Sequence, residues 1–184
     1  MIAEKITTLA HKYIGEKEKP SNSGFQNSIF QKLMELAGWE KGEAWCASFA
    51  KLVYLEAYKT EPKRLAEIEK LFSKSATQTY KNFDNSDWKT QTPDGKPILS
   101  PQEGALVVWR MGNTWTGHIG IVCKVISPTE FETIEGNTDA AGGREGIEVA
   151  HRRRFVTRTF DTTGFNLLGF ILPKSLASFK SYPS

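Results

Sequence analysis

An α+β fold, with N-terminal helices packed on a C-terminal antiparallel β-sheet of about five strands, is what this sequence predicts. Three observations carry the prediction. Apolar residues recur at helical spacing through roughly the first seventy positions. Beyond about residue 104 they fall instead into short alternating or continuous runs. Turn residues separate those runs one from the next. The 184 residues suit a single domain, and 39% hydrophobic with 24% charged residues is ordinary for a soluble globular chain.

Ile2, Ile6, Leu9 and Tyr13 mark a first helix, which "EKEKPSNSG" brings to an end. A second helix is expected from about Asn27 to Ala37, turning Ile29, Phe30, Leu33 and Leu36 or Ala37 inward, with Gly38 as its stop. The third begins near Trp45 and reaches about Tyr58. Its polar residues Ser48, Lys51, Glu56 and Lys59 leave a broad apolar surface, which marks a mostly buried helix. A fourth, "PKRLAEIEKLF", has Pro62 near its start. "DNSDWKTQTPDGKPILSPQEG" reads as a surface loop with a small hairpin at Pro93–Asp94–Gly95. The strand candidates follow as "ALVVWR", "HIGIVCKVI", "EFETIEG", "GIEVAHRRRF" and "LLGFILP".

Charge and composition exclude more than they identify. A formal charge of +3 is compatible with an anionic partner but selects none. The run Arg152–Arg153–Arg154 reads as a solvated strand face, because no larger basic surface or nucleic-acid motif accompanies it. No stretch approaches the ~20 apolar residues of a membrane span. "MIAEKITTLAHKYIGEKEKP" mixes acids and bases where a signal peptide would be apolar, so no secretory signal is expected. Two cysteines make no disulfide framework, and neither belongs to a C-x-x-C pair.

The chemistry centres on "GEAWCASFAKLVY", where Cys46 opens the third helix. The free N–H groups and positive dipole end of a first helical turn favour a thiolate. A cysteine nucleophile needs a base, and the base needs an orienting acceptor. Of the three histidines, His11 sits beside an apolar helical stripe and His151 opens a charged strand. His118, in "TGHIGIV", begins an apolar strand after a glycine-bearing loop, where rigid scaffolds often present catalytic groups. Strand alternation puts His118, Gly120 and Val122 on one face and Ile119, Ile121 and Cys123 on the other. Cys123 therefore reads as core filler. In "TIEGNT", Glu135 and Asn137 are two apart, so an extended backbone turns both to one side, and either can accept from the second ring nitrogen.

Taken together, these segments resemble the CHAP amidase/peptidase family, part of the NlpC/P60-like, papain-like cell-wall cysteine hydrolases. "EKPSNSGFQNSIFQKLMELAGWEKGEAWCASFAKLVY" resembles the family's asparagine–glycine loop, helix and W-C-A-x-F helix start. "SPQEGALVVW" resembles the lead into its first core strand, "GHIGIV" the histidine strand, "TIEGNT" the glutamate–x–asparagine strand and "LLGFILP" the closing strand. The resemblance implies a papain-like fold and a single catalytic domain spanning residues 1–184. It implies that Cys46 attacks, that His118 is base and acid, and that Glu135 and Asn137 support it, with no cofactor. Asn22 in the asparagine loop is a candidate for substrate contact. Trp45 and Trp115 are candidates for a substrate groove, with Trp39 and Trp109 weighed beside them and Trp109 equally well explained by packing. Ala105 departs from the family, which often has an acid there, and residues 62–100 have no clear counterpart in its pattern.

The substrate implied is peptidoglycan, cleaved at the sugar–alanine amide or at a stem or cross-bridge bond, with neither nucleic acid nor membrane as partner. Without a signal peptide, delivery is expected as a phage lysin released at lysis or as an injected effector, the latter with a cognate immunity or inhibitor protein. Three alternatives stand beside this reading: a papain-like effector acting on a protein, a non-catalytic wall-binding module, and a zinc site on Cys46, His118 and Glu135.

Overall fold

The computed structural model describes residues 1–93, 99–138, 146–157 and 159–175, so Asp94 and Gly95 of the expected hairpin lie outside the described residues. The helices are α1 (Ile2–Lys12), α2 (Ser28–Leu36), α3 (Cys46–Ala57), α4 (Pro62–Leu71) and α5 (Ala76–Asp84), with a short 3-10 turn at Pro20–Asn22. The strands are β1 (Thr90–Gln91), β2 (Leu106–Met111), β3 (Gly117–Ser127), β4 (Glu130–Thr138), β5 (Glu148–Phe155) and β6 (Phe165–Ile171). The architecture is α+β, as expected, with six antiparallel strands among the described residues rather than about five.

Local chemistry sets most of these boundaries. Asn27 caps α2 by accepting from the backbone N–H groups of Ile29 (2.9 Å) and Phe30 (3.3 Å). Gly38, at φ +96°, closes it in the left-handed region. The face that α2 buries is Phe30, Met34 and Ala37; Ile29, expected inward, is 70% exposed, and of the pair Leu36 or Ala37 it is Ala37 that turns in, leaving Leu36 78% exposed. Two apolar stripes of similar spacing compete on this helix. The aromatic one wins because Phe30 packs against Tyr13 (5.4 Å) and edge-on against Phe25 (4.9 Å).

α5 and β1 have no counterpart in the elements read from the sequence. Ser75 caps α5 through the N–H of Gln78 (3.3 Å), and Ala76, Thr79, Tyr80 and Phe83 are its buried face. β1 is two residues long and exists by pairing with β6.

The sheet runs β1-β6-β2-β3-β4-β5. β2 to β5 form a meander, and β6 returns to the free side of β2. The sheet is strongly curled. Phe131 of β4 and Phe170 of β6 bring their rings to 5.5 Å although β3 and β2 lie between their strands. A flat sheet with strands about 4.8 Å apart could not do this. Ile119, Ile121 and Cys123 face outward into the core shared with α1, α2 and α3, while Val107, Trp109 and Val122 fill the inside of the curl. The segment before the 3-10 turn runs along the outer side of β5. Gly15 donates to Val149 O (2.9 Å), Val149 to Glu16 O (2.9 Å) and Glu18 to Ile147 O (2.8 Å). Among the described residues, no helix is long and apolar enough to cross a membrane.

Candidate active site

Cys46 is the first residue of α3 and is buried. N–H groups in a first helical turn have no intrahelical acceptor, so they remain available to a ligand. α3 reaches its position because β4 carries glycine where the two meet. A Cβ on Gly136 would lie 2.6 Å from the Trp45 ring and 2.8 Å from Phe49 Cβ. Trp45 fixes the approach to the helix: its indole N–H donates to Glu18 Oε2 at 2.5 Å, and its ring meets Phe25 edge-on at 5.1 Å.

His118 is the second residue of β3, on the face that Gly120 and Val122 share. Its Nε2 donates to Glu135 Oε2 at 2.9 Å, and both side chains are wholly excluded from solvent. The carboxylate can cross to the ring because Gly120 leaves the space open; a Cβ there would meet Glu135 Cγ at 2.7 Å. Glu135 receives further donors. The Thr133 hydroxyl reaches Oε1 at 2.5 Å, and Arg154 contributes Nε to Oε1 at 2.8 Å and a terminal nitrogen to Oε2 at 2.5 Å. The imidazole stacks against Trp109 (6.0 Å) and Phe165 (5.6 Å).

Electrostatics here set burial against neighbouring charge. Burial opposes a charged His118, but Cys46 and Glu135 together outweigh it and raise the imidazole to about 9. Burial also opposes a charged Glu135. Arg154 first, then His118, outweigh that and hold its carboxyl at about 2. With Nε2 given to Glu135, Nδ1 is the nitrogen left for the thiol. It has no formed hydrogen bond, so sulfur and ring are neighbours that influence each other without being aligned as donor and acceptor. Cys123 contrasts with this: burial pushes its thiol up to about 12, and it packs on the outer face of the sheet.

A cleft of about 450 Å³ opens beside Cys46. It is lined by Glu43 and Ala44 ahead of α3, by Ser73 to Ala76 leading into α5, and by Trp115 to Gly117 leading into β3. Trp115 is 77% exposed. Thr77 anchors its loop by donating to Trp115 O at 2.7 Å. Lys74 bonds Glu43 (2.7 Å) and pairs with Glu40 (3.0 Å) at the same rim.

The structure thus brings Cys46, His118 and Glu135 together and puts Trp115 on the cleft that Cys46 lines. Asn137 is placed differently. Its φ of +55° is left-handed, which breaks the alternation that would aim it with Glu135, and neither ring nitrogen of His118 bonds it. Trp45, expected on the groove, is fully buried, because its indole is committed to Glu18. Trp39 is likewise buried. With its side-chain amide assigned in the orientation that satisfies both ends, Asn22 donates to the Glu18 carboxylate at 2.5 Å, and its backbone carbonyl accepts from Gly42 N–H at 2.8 Å. The arginine run is not a solvated face throughout. Only Arg153 is well exposed, at 63% of its side chain, against 14% for Arg152 and 18% for Arg154.

Thr133 and Arg154 are residues that motif reading passes over. Thr133 had a signal, being two positions before Glu135 on the same face of a strand. Arg154 had only its parity, since its side chain reaches Glu135 across the inside of a curl that strand patterns do not encode. Glu18 had none.

No curated protein matches the chain. A model of the CHAP domain family matches residues 38–137, a span that contains Cys46, His118, Glu135 and Asn137. In general terms that family implies a cell-wall amidase or peptidase, with peptidoglycan as substrate. Because the match covers more than half of its length, the chain belongs to the CHAP domain family.

Proposed function

We propose that this protein hydrolyses an amide bond of peptidoglycan through a thioester on Cys46. The observation that carries the reading is the buried His118–Glu135 pair beside a cysteine at a helix start, opening on a cleft. The Cys46 sulfur attacks the carbonyl carbon as a thiolate while His118 holds the proton. The oxyanion that forms accepts from the Cys46 backbone N–H, a contact of a kind worth about 3 kcal/mol. His118 gives its proton to the leaving amine, and the C–N bond breaks. The imidazole then takes a proton from water, whose oxygen attacks the thioester. The acid is released and the thiolate returns.

Glu135 keeps the ring in one tautomer and stabilises the imidazolium without taking its proton. Trp115 offers an exposed apolar face for the substrate beside the sulfur. A purely wall-binding role would leave a buried ion pair with nothing to do, and burying charge is expensive. Zinc on Cys46, His118 and Glu135 is disfavoured by the donors that already occupy both Glu135 oxygens.

The test is release of amines and soluble fragments from purified peptidoglycan by the wild-type protein and by Cys46→Ala. The wild type should release them, with the variant reduced at least a thousandfold. Mass spectrometry of the fragments identifies the bond. Equal release by both proteins overturns the reading.

A further inference from the structure

Both ends of the Glu135 carboxylate are held from behind by one side chain, and that side chain also touches the aromatic ring on which His118 lies. Arg154 forks onto Oε1 and Oε2 at 2.8 and 2.5 Å. Its guanidinium carbon stands 5.2 Å from the centre of the Trp109 ring, and Trp109 stacks on His118 at 6.0 Å and 24°. His118, Glu135, Arg154 and Trp109 therefore form a closed circuit inside the curl, drawn from β3, β4, β5 and β2. We propose that Arg154 is a positioning residue for the reaction: it fixes the carboxylate that fixes the imidazole, and it draws part of that carboxylate's charge away from the ring. This rests on the reading of Cys46 and His118 as nucleophile and base.

The physical case has two parts. A carboxylate held only by His118 and Thr133 could turn about its own stem, and the ring would turn with it. A planar fork on both oxygens removes that freedom, which a point charge cannot do. The positive charge behind Glu135 also competes with the imidazolium for the same anion. The ring can then surrender its proton to a leaving amine more readily than if the carboxylate served it alone. Among the described residues, the charged and titratable groups facing this assembly are Cys46 from α3, Glu135 from β4 and Arg154 from β5. Arg152 shares the face of Arg154 but is directed to Glu148 at 3.8 Å. β2 and β6 contribute the uncharged rings Trp109 and Phe165.

The experiment compares Arg154→Met and Arg154→Lys with the wild type in two readouts: kcat and KM on peptidoglycan across pH, and the titration of His118 followed by NMR of its ring nitrogens. Arg154→Met should lower kcat about ten- to a hundredfold with little change in KM, and should move the His118 midpoint to higher pH by about one pH unit. Arg154→Lys keeps charge without the fork, so the midpoint should stay near the wild-type value while kcat still falls. An unchanged His118 midpoint in Arg154→Met, or full activity in both variants, overturns the proposal. The NMR titration needs no turnover. An inactive wild type would thus count against the hydrolase reading, while the titration still decides what Arg154 does to the ring. If Arg154→Met fails to fold, Arg154→Lys decides: the proposal stands on a retained midpoint with reduced kcat, and falls on wild-type kcat.

Discussion

At the scale of single residues, the site is governed by where one proton sits. His118 holds its proton to about 9, above the ordinary imidazole value, because the thiol and carboxylate beside it outweigh its burial. A group raised on folding stabilises the fold fully below its unfolded value of about 6.5, and that contribution is lost as pH rises through about 9. Glu135 is displaced the other way. Its contribution is present above the ordinary carboxylate range and is lost as pH falls towards about 2. Melting curves taken across pH should therefore be level from the carboxylate range to about 6.5 and fall from there until the loss is complete near 9. Hydrolysis should decline there too, since the leaving amine needs the imidazolium. In Cys46→Ala one of the groups that raises His118 is gone, so its NMR titration midpoint should move to lower pH. A midpoint that stays put would mean that the sulfur does not act on the ring.

At the scale of elements, two glycines decide how closely the parts of the site approach, and they do so on opposite faces of β4. Gly120 on β3 admits the Glu135 stem, and Gly136 on β4 admits Trp45 and Phe49 of the α3 region. Gly136→Ala places a methyl group within 3 Å of both aromatic side chains. Overpacking of this kind costs about 1–3 kcal/mol. The expected result is a lower melting temperature together with reduced turnover, because the helix that carries Cys46 must back away from the sheet. A normal melt with normal turnover would show that α3 can shift freely there. Much of this level was legible in the sequence. The helix start at Cys46 and the parity of β3 that separates His118 from Cys123 follow from spacing, which also brings Glu135 or Asn137 to the ring without choosing between them. Asn137 was not legible, because a single left-handed residue at the strand end cancels the alternation that two-residue spacing assumes. α5 is polar enough to pass for loop, yet its Ser75-x-x-Gln78 start and the spacing of Ala76, Thr79, Tyr80 and Phe83 mark it once the cap is noticed. β1 carries no signal of its own.

At the scale of the whole molecule, the curl of the sheet is what gathers the circuit. Strands that a flat sheet would hold apart present Trp109, His118, Glu135 and Arg154 to one another, and the packing of Phe131 against Phe170 closes the far side of the same concavity. Phe131→Ala removes a fully buried ring and should cost about 3–5 kcal/mol. Its effect should also reach kcat, although Phe131 lines no part of the cleft beside Cys46. A destabilised variant with unaltered turnover at a temperature where it remains folded would separate curl from catalysis. Long-range shape of this sort is hidden from strand patterns, which is why the arginine run read as solvent-facing. The two sheet borders have a further bearing on handling. One ends in a strand of only two residues, and the other is occupied by backbone from residues 15–18. A fragment trimmed to the matched residues 38–137 would lose β5 and β6 along with that guard. It would leave β2 and β4 as bare borders with ladders of unpaired amides, inviting chains to stack on one another in a filament before any had the chance to fold.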